Sequence, residues 1–191
     1  MGPFSLERVV TAMDRVRERL LRATGILEQR GVPYAVAGGN AVALWVSRVD
    51  ETAVRQTSDV DILIRRDDFG SVRAALESVG FQYRHVGGLD VFLDGPLSKV
   101  RDGVHLLFAR EQVRSDEPAP NPDVIDSESA QIFRVLTLPA LVQIKLTAWR
   151  DKDRTHLRDL IEVGLLDATW LERVLPPLRP RLQHLLDTPG G

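Results

Sequence analysis

The sequence contains no cysteine. Disulfides and thiolate metal sites are therefore excluded, and the absence agrees with a reducing compartment, so the cytoplasm is the expected location. Aromatic residues are scarce, at 6%. Trp45, Trp149 and Trp170 are too scattered to build a base-stacking platform and are expected in the core or at an interface. Neither sign of charge dominates: 25 Lys and Arg stand against 27 Asp and Glu. A net charge of -2 gives no global electrostatic reason to bind nucleic acid or a membrane surface, local basic patches aside. No apolar run approaches the roughly 18 residues that span a bilayer. The first 20 residues are amphipathic, carry acids as well as arginines, and lack the apolar core of a signal peptide. There is no internal repeat and no low-complexity tract.

What remains is a globular composition, 43% hydrophobic and 27% charged over 191 residues, enough for a sizeable core without staples. Apolar residues at three- and four-residue steps (Val9, Val10, Met13, Val16, Leu20, Ala23, Leu27) predict a helix over 5–30, with Ser5 as N-cap candidate and Gly31 as its C-terminal stop. Strands are expected at 34–37, 59–64, 81–86, 89–93, 103–109 and 133–136. A helix is expected from about Asn40, and another follows Asp67 and Asp68, either of which can cap it. Residues 46–56 read as a helix end and loop. The prolines around 118–122 mark an extended linker. A long helix follows Pro139, with the charged run Arg150–Arg154 as a candidate break. Helical spacing over 168–186 is interrupted by Pro176, Pro177 and Pro180, and the last four residues are expected to be disordered.

The expected fold is α+β: a mixed sheet with flanking helices and a C-terminal helical region. Residues 1–113 form the N-terminal helix and α/β core, 114–130 a Pro-rich linker, and 131–191 a C-terminal strand and helical region packing on the core.

Chemistry concentrates between Tyr34 and Ile64. A short apolar strand runs into Gly38-Gly39 and then a helix, a layout that presents backbone N–H groups to an anion. The next strand carries Asp59 and Asp61. Side chains alternate along a strand, so both carboxylates point to one face. Two carboxylates so placed repel unless something positive lies between them, and Mg²⁺ bridging to substrate phosphates is the usual solution. An isolated Asp-x-Asp is more often a solvent-facing pair on an edge strand; the preceding Gly-Gly unit raises its weight. Arg55, beside this strand, can meet a triphosphate or balance the two acids. Lys145 sits in an apolar helix, where a lysine most often reaches out to solvent. The run Arg150–Asp159 reads as a solvated face with local ion pairs, within which His156 and Asp159 are three apart on one helix face.

Gly38-Gly39-Asn40-Ala41 followed by Arg55-x-Thr57-Ser58-Asp59-Val60-Asp61 resembles the nucleotidyltransferase superfamily with the polymerase-β-like fold. The resemblance extends through Leu138-Pro139, Lys145-Leu146, Lys152-Asp153-Arg154 and Arg158-Asp159-Leu160 to the abortive-infection and antitoxin-linked bacterial branch. It implies transfer of NMP from an NTP to an acceptor that the sequence does not name: an RNA end, a protein or a small molecule. By this resemblance Gly38, Gly39, Asn40, Arg55, Ser58 and Lys145 bind the nucleotide, Asp59 and Asp61 hold Mg²⁺, and a partner protein of toxin–antitoxin type is possible. Active members carry a third carboxylate on a later strand, where this chain has His105. A histidine there can serve as base or metal ligand, or sit half-buried on the sheet with no role in chemistry. Asp90, Asp94 and Asp102 are nearby acids that can replace the missing one. The alternative is a catalytically impaired member acting as a binding or regulatory module.

Overall fold

The computed structural model describes residues 6–96 and 98–189, with side chains from residue 10 onward. The Ser5 cap and the last two residues of the expected disordered tail lie outside the described residues. Helix α1 (Leu6–Gln29) leads to strand β1 (Ala35–Ala37), helix α2 (Gly38–Ser47), strand β2 (Val60–Ile64) and helix α3 (Phe69–Ser78). Strands β3 (Gln82–Val86), β4 (Leu89–Leu93), β5 (Val104–Phe108), β6 (Ser127–Ser129) and β7 (Arg134–Leu136) follow. Helices α4 (Leu138–Ala148), α5 (Asp151–Glu162) and α6 (Arg179–Asp187) complete the chain. The seven strands form one sheet in the order β3-β4-β5-β2-β1-β7-β6. It is mixed: β2 runs antiparallel to β1 and parallel to β5, and β7 runs parallel to β1. The α+β fold expected from the sequence is the fold observed. None of the described helices is long and apolar enough to cross a membrane.

Local chemistry explains most boundaries. α1 ends where Gly31, at φ 63°, turns left-handed; its N–H bonds the Glu28 carbonyl and that of Val32 bonds Leu27, which satisfies two carbonyls at the helix end. Gly87 and Gly88, both at positive φ, close the β3–β4 hairpin in two residues. The expected side-chain cap on α3 is absent. Residues Arg66–Asp68 form a short 3₁₀ turn instead, and the N–H of Asp68 bonds Arg65 through the backbone. The long helix expected after Pro139 is two helices. Trp149 adopts the left-handed conformation at φ 54°, ends α4 and swings α5 away from it. Residues 168–178 form two 3₁₀ turns, and Pro180 sits in the first turn of α6, where its missing N–H costs nothing.

β2 lies near the centre of the sheet, so the solvent-facing edge-strand reading of its acids does not hold. Leu63 and Ile64, on opposite faces, are both fully buried, and helices cover both sides. α1 and α3 pack together, with α1 against β2 and β5, while α2 meets α4 and α5. The Pro-rich stretch is fastened to the body: Asp123, 6% exposed, takes ion pairs from Arg65 and Arg110, and Asn121 donates to the Phe108 carbonyl. Its last residues supply β6, so the sheet continues across it.

Candidate active site

The site begins with the β1–α2 junction. β1 ends at Ala37, paired with Asp61 of β2, and α2 starts at the next residue. Gly38 has φ 63°, and a Cβ on it would stand 1.8 Å from Asp61 Oδ2; a Cβ on Gly39 would stand 2.7 Å from Thr57 Oγ1. Only glycines let this turn press against Asp61 and Thr57. No side chain caps α2 and no acid lies in its first turn. The free N–H groups and the positive end of the helix dipole are therefore left for an anion.

Asn40, one residue on, donates from Nδ2 to the Asp59 carbonyl at 2.7 Å and ties α2 to the loop before β2. The Asp59 carboxylate accepts from Thr57 Oγ1 at 2.5 Å and meets Lys152 Nζ of α5 at 3.4 Å. Asp61 is partly exposed and lies opposite His105 in the parallel β2–β5 register. Burial alone would push the Asp61 pKa up. The His105 imidazole and the charges of Lys145 and Lys152 outweigh it and hold the carboxyl below its usual range. Asp61 in turn raises the pKa of His105 against the opposing effect of burial, helped by the Val100 carbonyl. One side-chain ligand atom from each of Asp59, Asp61 and His105 falls within 4.8 Å of the others. Two ligands on opposite sides of one divalent ion stand about 4–5 Å apart, so this donor set fits a bound cation.

These groups line a cleft of about 710 Å³. Gly38, Gly39, Thr57 and Ser58 form one wall. Lys145, Arg150, Lys152 and His156 come from the α4–α5 side, and Leu89, Arg101, Leu106 and Leu107 from the β4–β5 side. Lys145 is not a lysine reaching out to solvent. It is 2% exposed, and its ammonium is 3.0 Å from Asp153 Oδ1, which is itself fully buried. Arg150 holds the other oxygen of Asp153 at 2.7 Å. One carboxylate thus fixes two cations at the edge of the cleft.

The structure brings Gly38, Gly39, Ser58, Asp59, Asp61, His105 and Lys145 into the cleft. Asn40 supports it from behind. Arg55 is elsewhere: its Nε donates to Asp159 Oδ1 of α5 at 2.7 Å, so it clamps the loop before β2 to that helix. The acids considered as substitutes are also engaged elsewhere. Asp90 accepts from Tyr83 and pairs with His85, Asp94 pairs with Arg19 and Arg22, and Asp102 pairs with Arg101. His156 and Asp159 do not form a ligand set; Asp159 binds Arg55, and one His156 nitrogen, Nδ1, is buried without a partner. Reading the charged run as a solvated face passes over Arg150 and Lys152, and Thr57 is missed as a ligand of Asp59. The sequence carries no signal for this beyond the charged run itself; the left-handed turn at Trp149, which brings Lys152 of α5 to Asp59, is seen only in the structure.

No protein-family model matches the chain, and no curated protein matches it in sequence. Solved structures do match its fold. The antibiotic-resistance factor ANT(2'')-Ia, in its solution structure, superposes with a TM-score of 0.57 at 16% identity over 92% of this chain and 94% of that one. Its crystal structure in complex with adenylyl-2''-tobramycin gives 0.56 at 16% identity, over 90% and 98%. An antigenic nucleotidyltransferase-like protein from Paracoccidioides brasiliensis gives 0.58 at 17% identity, over 92% and 88%. The chain has a nucleotidyltransferase-like fold.

Proposed function

We propose that the protein transfers NMP from an NTP to an acceptor hydroxyl. The observation that carries this is the convergence of Asp59, Asp61 and His105 at the uncapped glycine start of α2, inside a cleft into which Arg101, Lys145, Arg150 and Lys152 bring positive charge. The acceptor oxygen forms a bond to the α-phosphorus, the bond from that phosphorus to the β-phosphate bridging oxygen breaks, and pyrophosphate leaves. The hydroxyl proton goes to a basic group of the cluster. Gly38 and Gly39 cradle the triphosphate with backbone N–H groups, and Ser58 lines the same wall. Lys145, Arg150 and Lys152 offset its charge, and Asn40 and Arg55 hold the loop bearing Thr57–Asp59 in place. Mg²⁺ brought with the triphosphate would be held by Asp59 and Asp61 and would neutralise charge on the transferring phosphoryl group. The likeness in fold to ANT(2'')-Ia, whose crystal structure holds adenylyl-2''-tobramycin, supports this reading.

Titration calorimetry of a non-hydrolysable NTP with Mg²⁺ against the wild type and the Asp59→Asn/Asp61→Asn pair tests this reading. Metal-dependent binding is expected in the wild type alone, and equal binding in both proteins would end the proposal. His105 at the place of the third acid favours a second reading: a nucleotide-binding module without turnover, acting with a partner protein of toxin–antitoxin type. Transfer of label from NTP that appears only in His105→Asp would select it.

A further inference from the structure

We infer that the metal site of this cleft is a mixed oxygen–nitrogen site built for a first-row transition-metal dication, Mn²⁺ foremost, with His105 Nδ1 as a ligand. The inference rests on the proposed transfer reading only in taking Asp59 and Asp61 as the cation's oxygen ligands.

The argument starts from the other nitrogen. His105 Nε2 is 2.7 Å from the carbonyl oxygen of Val100. A carbonyl only accepts, so the hydrogen is on Nε2. In the neutral ring the lone pair is then on Nδ1, the nitrogen that faces Asp61 Oδ1 at 3.7 Å. Metal-binding histidines are held in the same way, one ring N–H anchored on a carbonyl or carboxylate and the other nitrogen free for the ion. The anchor is rigid. Val100 begins the 3₁₀ turn Val100–Asp102, and Gly103 follows with no room for a side chain. A Cβ there would stand 2.5 Å from Val91 Cγ2 and 3.2 Å from the Val100 oxygen itself. Strand register completes the placement, since His105 is paired with Asp61 along the ladder that joins β2 to β5. The ring is 17% exposed and has little other place to go.

Donor chemistry then selects the ion. Mg²⁺ takes oxygen ligands in a strict octahedron and gains little from an imidazole. Imidazole nitrogen favours transition metals, and among these Mn²⁺ also accepts carboxylate, water and phosphate oxygens in an octahedral shell. A three-carboxylate site has no such bias. The single change to histidine therefore moves the site toward Mn²⁺ without closing positions that a triphosphate needs.

The test uses the metal-stripped full chain with Mn²⁺ as the probe, followed by loss of the free-ion EPR signal and by competition with Mg²⁺. Pulsed EPR of the bound ion is expected to show nitrogen coupling from one imidazole. His105→Asp is expected to abolish that coupling and to lower the Mn²⁺-over-Mg²⁺ preference. Bound Mn²⁺ without nitrogen coupling in the wild type overturns the inference, as does an unchanged preference in His105→Asp; His105→Asn provides a second variant should the aspartate fold poorly. Mn²⁺ that still requires Asp59 and Asp61 but shows no nitrogen coupling removes His105 and leaves the transfer reading standing. Nitrogen-coupled Mn²⁺ in a protein that binds no NTP analogue keeps the metal site and removes the transfer reading.

Discussion

Gly38 concentrates more constraint than any other residue of the cleft. Its left-handed backbone and the 1.8 Å at which an added Cβ would stand from Asp61 Oδ2 mean that Gly38→Ala has to move either the turn or the acid. The variant is expected to lose about 1–3 kcal/mol of stability, the usual cost of a strained backbone position, and to lose metal-dependent nucleotide binding. Chemical denaturation and calorimetry on one preparation check both. His156 offers a separate prediction, on pH. Burial, reinforced by the charge of Lys145 and to a smaller extent Lys152, lowers its pKa to about 4 against the opposing pull of Asp153 and Asp159. The unfolded chain takes up that proton near pH 6.5 and the folded chain does not. The stability is therefore full above about pH 6.5 and is lost as pH falls toward 4. His105 acts in the opposite sense: its raised pKa adds stability that is complete below pH 6.5 and fades only at higher pH. Between pH 6.5 and about 4.5, above the range in which the depressed carboxylates of Asp61 and Asp153 begin to add their own loss, the slope therefore belongs to His156. His156→Gln should flatten it, as read from urea midpoints at pH 6.5 and 4.5. The sequence shows the residues here but not their pairing: nothing in the run Arg150–Asp159 announces that Arg55, 104 positions away, binds Asp159.

At the scale of elements, the α4–α5 corner decides where the cations stand. Lys145 of α4 and Asp153 of α5 are buried together, and Arg150 closes the pair at the helix start. Burial works against ionisation of Asp153; Arg150 and Lys145 more than offset it and keep the carboxyl below its usual range. Asp153→Asn leaves the Lys145 charge buried without its partner, a change that typically costs about 3–5 kcal/mol. Replacing both members, as Lys145→Met with Asp153→Leu, should cost clearly less, and a double-mutant cycle in guanidinium measures the difference. Both versions should weaken binding of the NTP analogue, because the first frees Lys145 and Arg150 from the carboxylate that fixes them and the second also removes the Lys145 charge. Helices and strands with strong periodicity were legible in the sequence: α1, the β3–β4 hairpin and β5 fall where alternation and glycines put them. The break between α4 and α5 was legible only as a charged run, because no proline or glycine marks it. A tryptophan in the left-handed region does the work of a glycine there, and Arg154 and Arg181 stack over its ring. β6 was hidden because three polar residues form a strand only when β7 offers an edge.

At the scale of the molecule, the glycine turn and the two acids were readable because each depends on residues close in sequence. The walls of the cleft were not, since they come from five separate segments that meet only in the fold. If the proposed transfer reading holds, a cation with a non-hydrolysable NTP ties those walls together, so the thermal midpoint should rise when both are added and hardly at all with either alone. Scanning calorimetry with the four combinations reads this, and an equal rise with nucleotide alone would show that the cation does not join the site. β7 has a further consequence, for synthesis rather than for chemistry. It pairs with β1 at Val36 and Val135, and the Tyr34 hydroxyl accepts from the Arg134 N–H, a link across 100 residues. Until that segment leaves the ribosome, β1 has one free edge, with fully buried Val36 and Ala37 of the finished protein open to other chains. Residues 1–113 made alone should therefore aggregate instead of folding, even though they contain both acids and the histidine. Long-range pairing of this kind also slows folding, so a nascent chain would depend on chaperone holding through nearly three quarters of its translation.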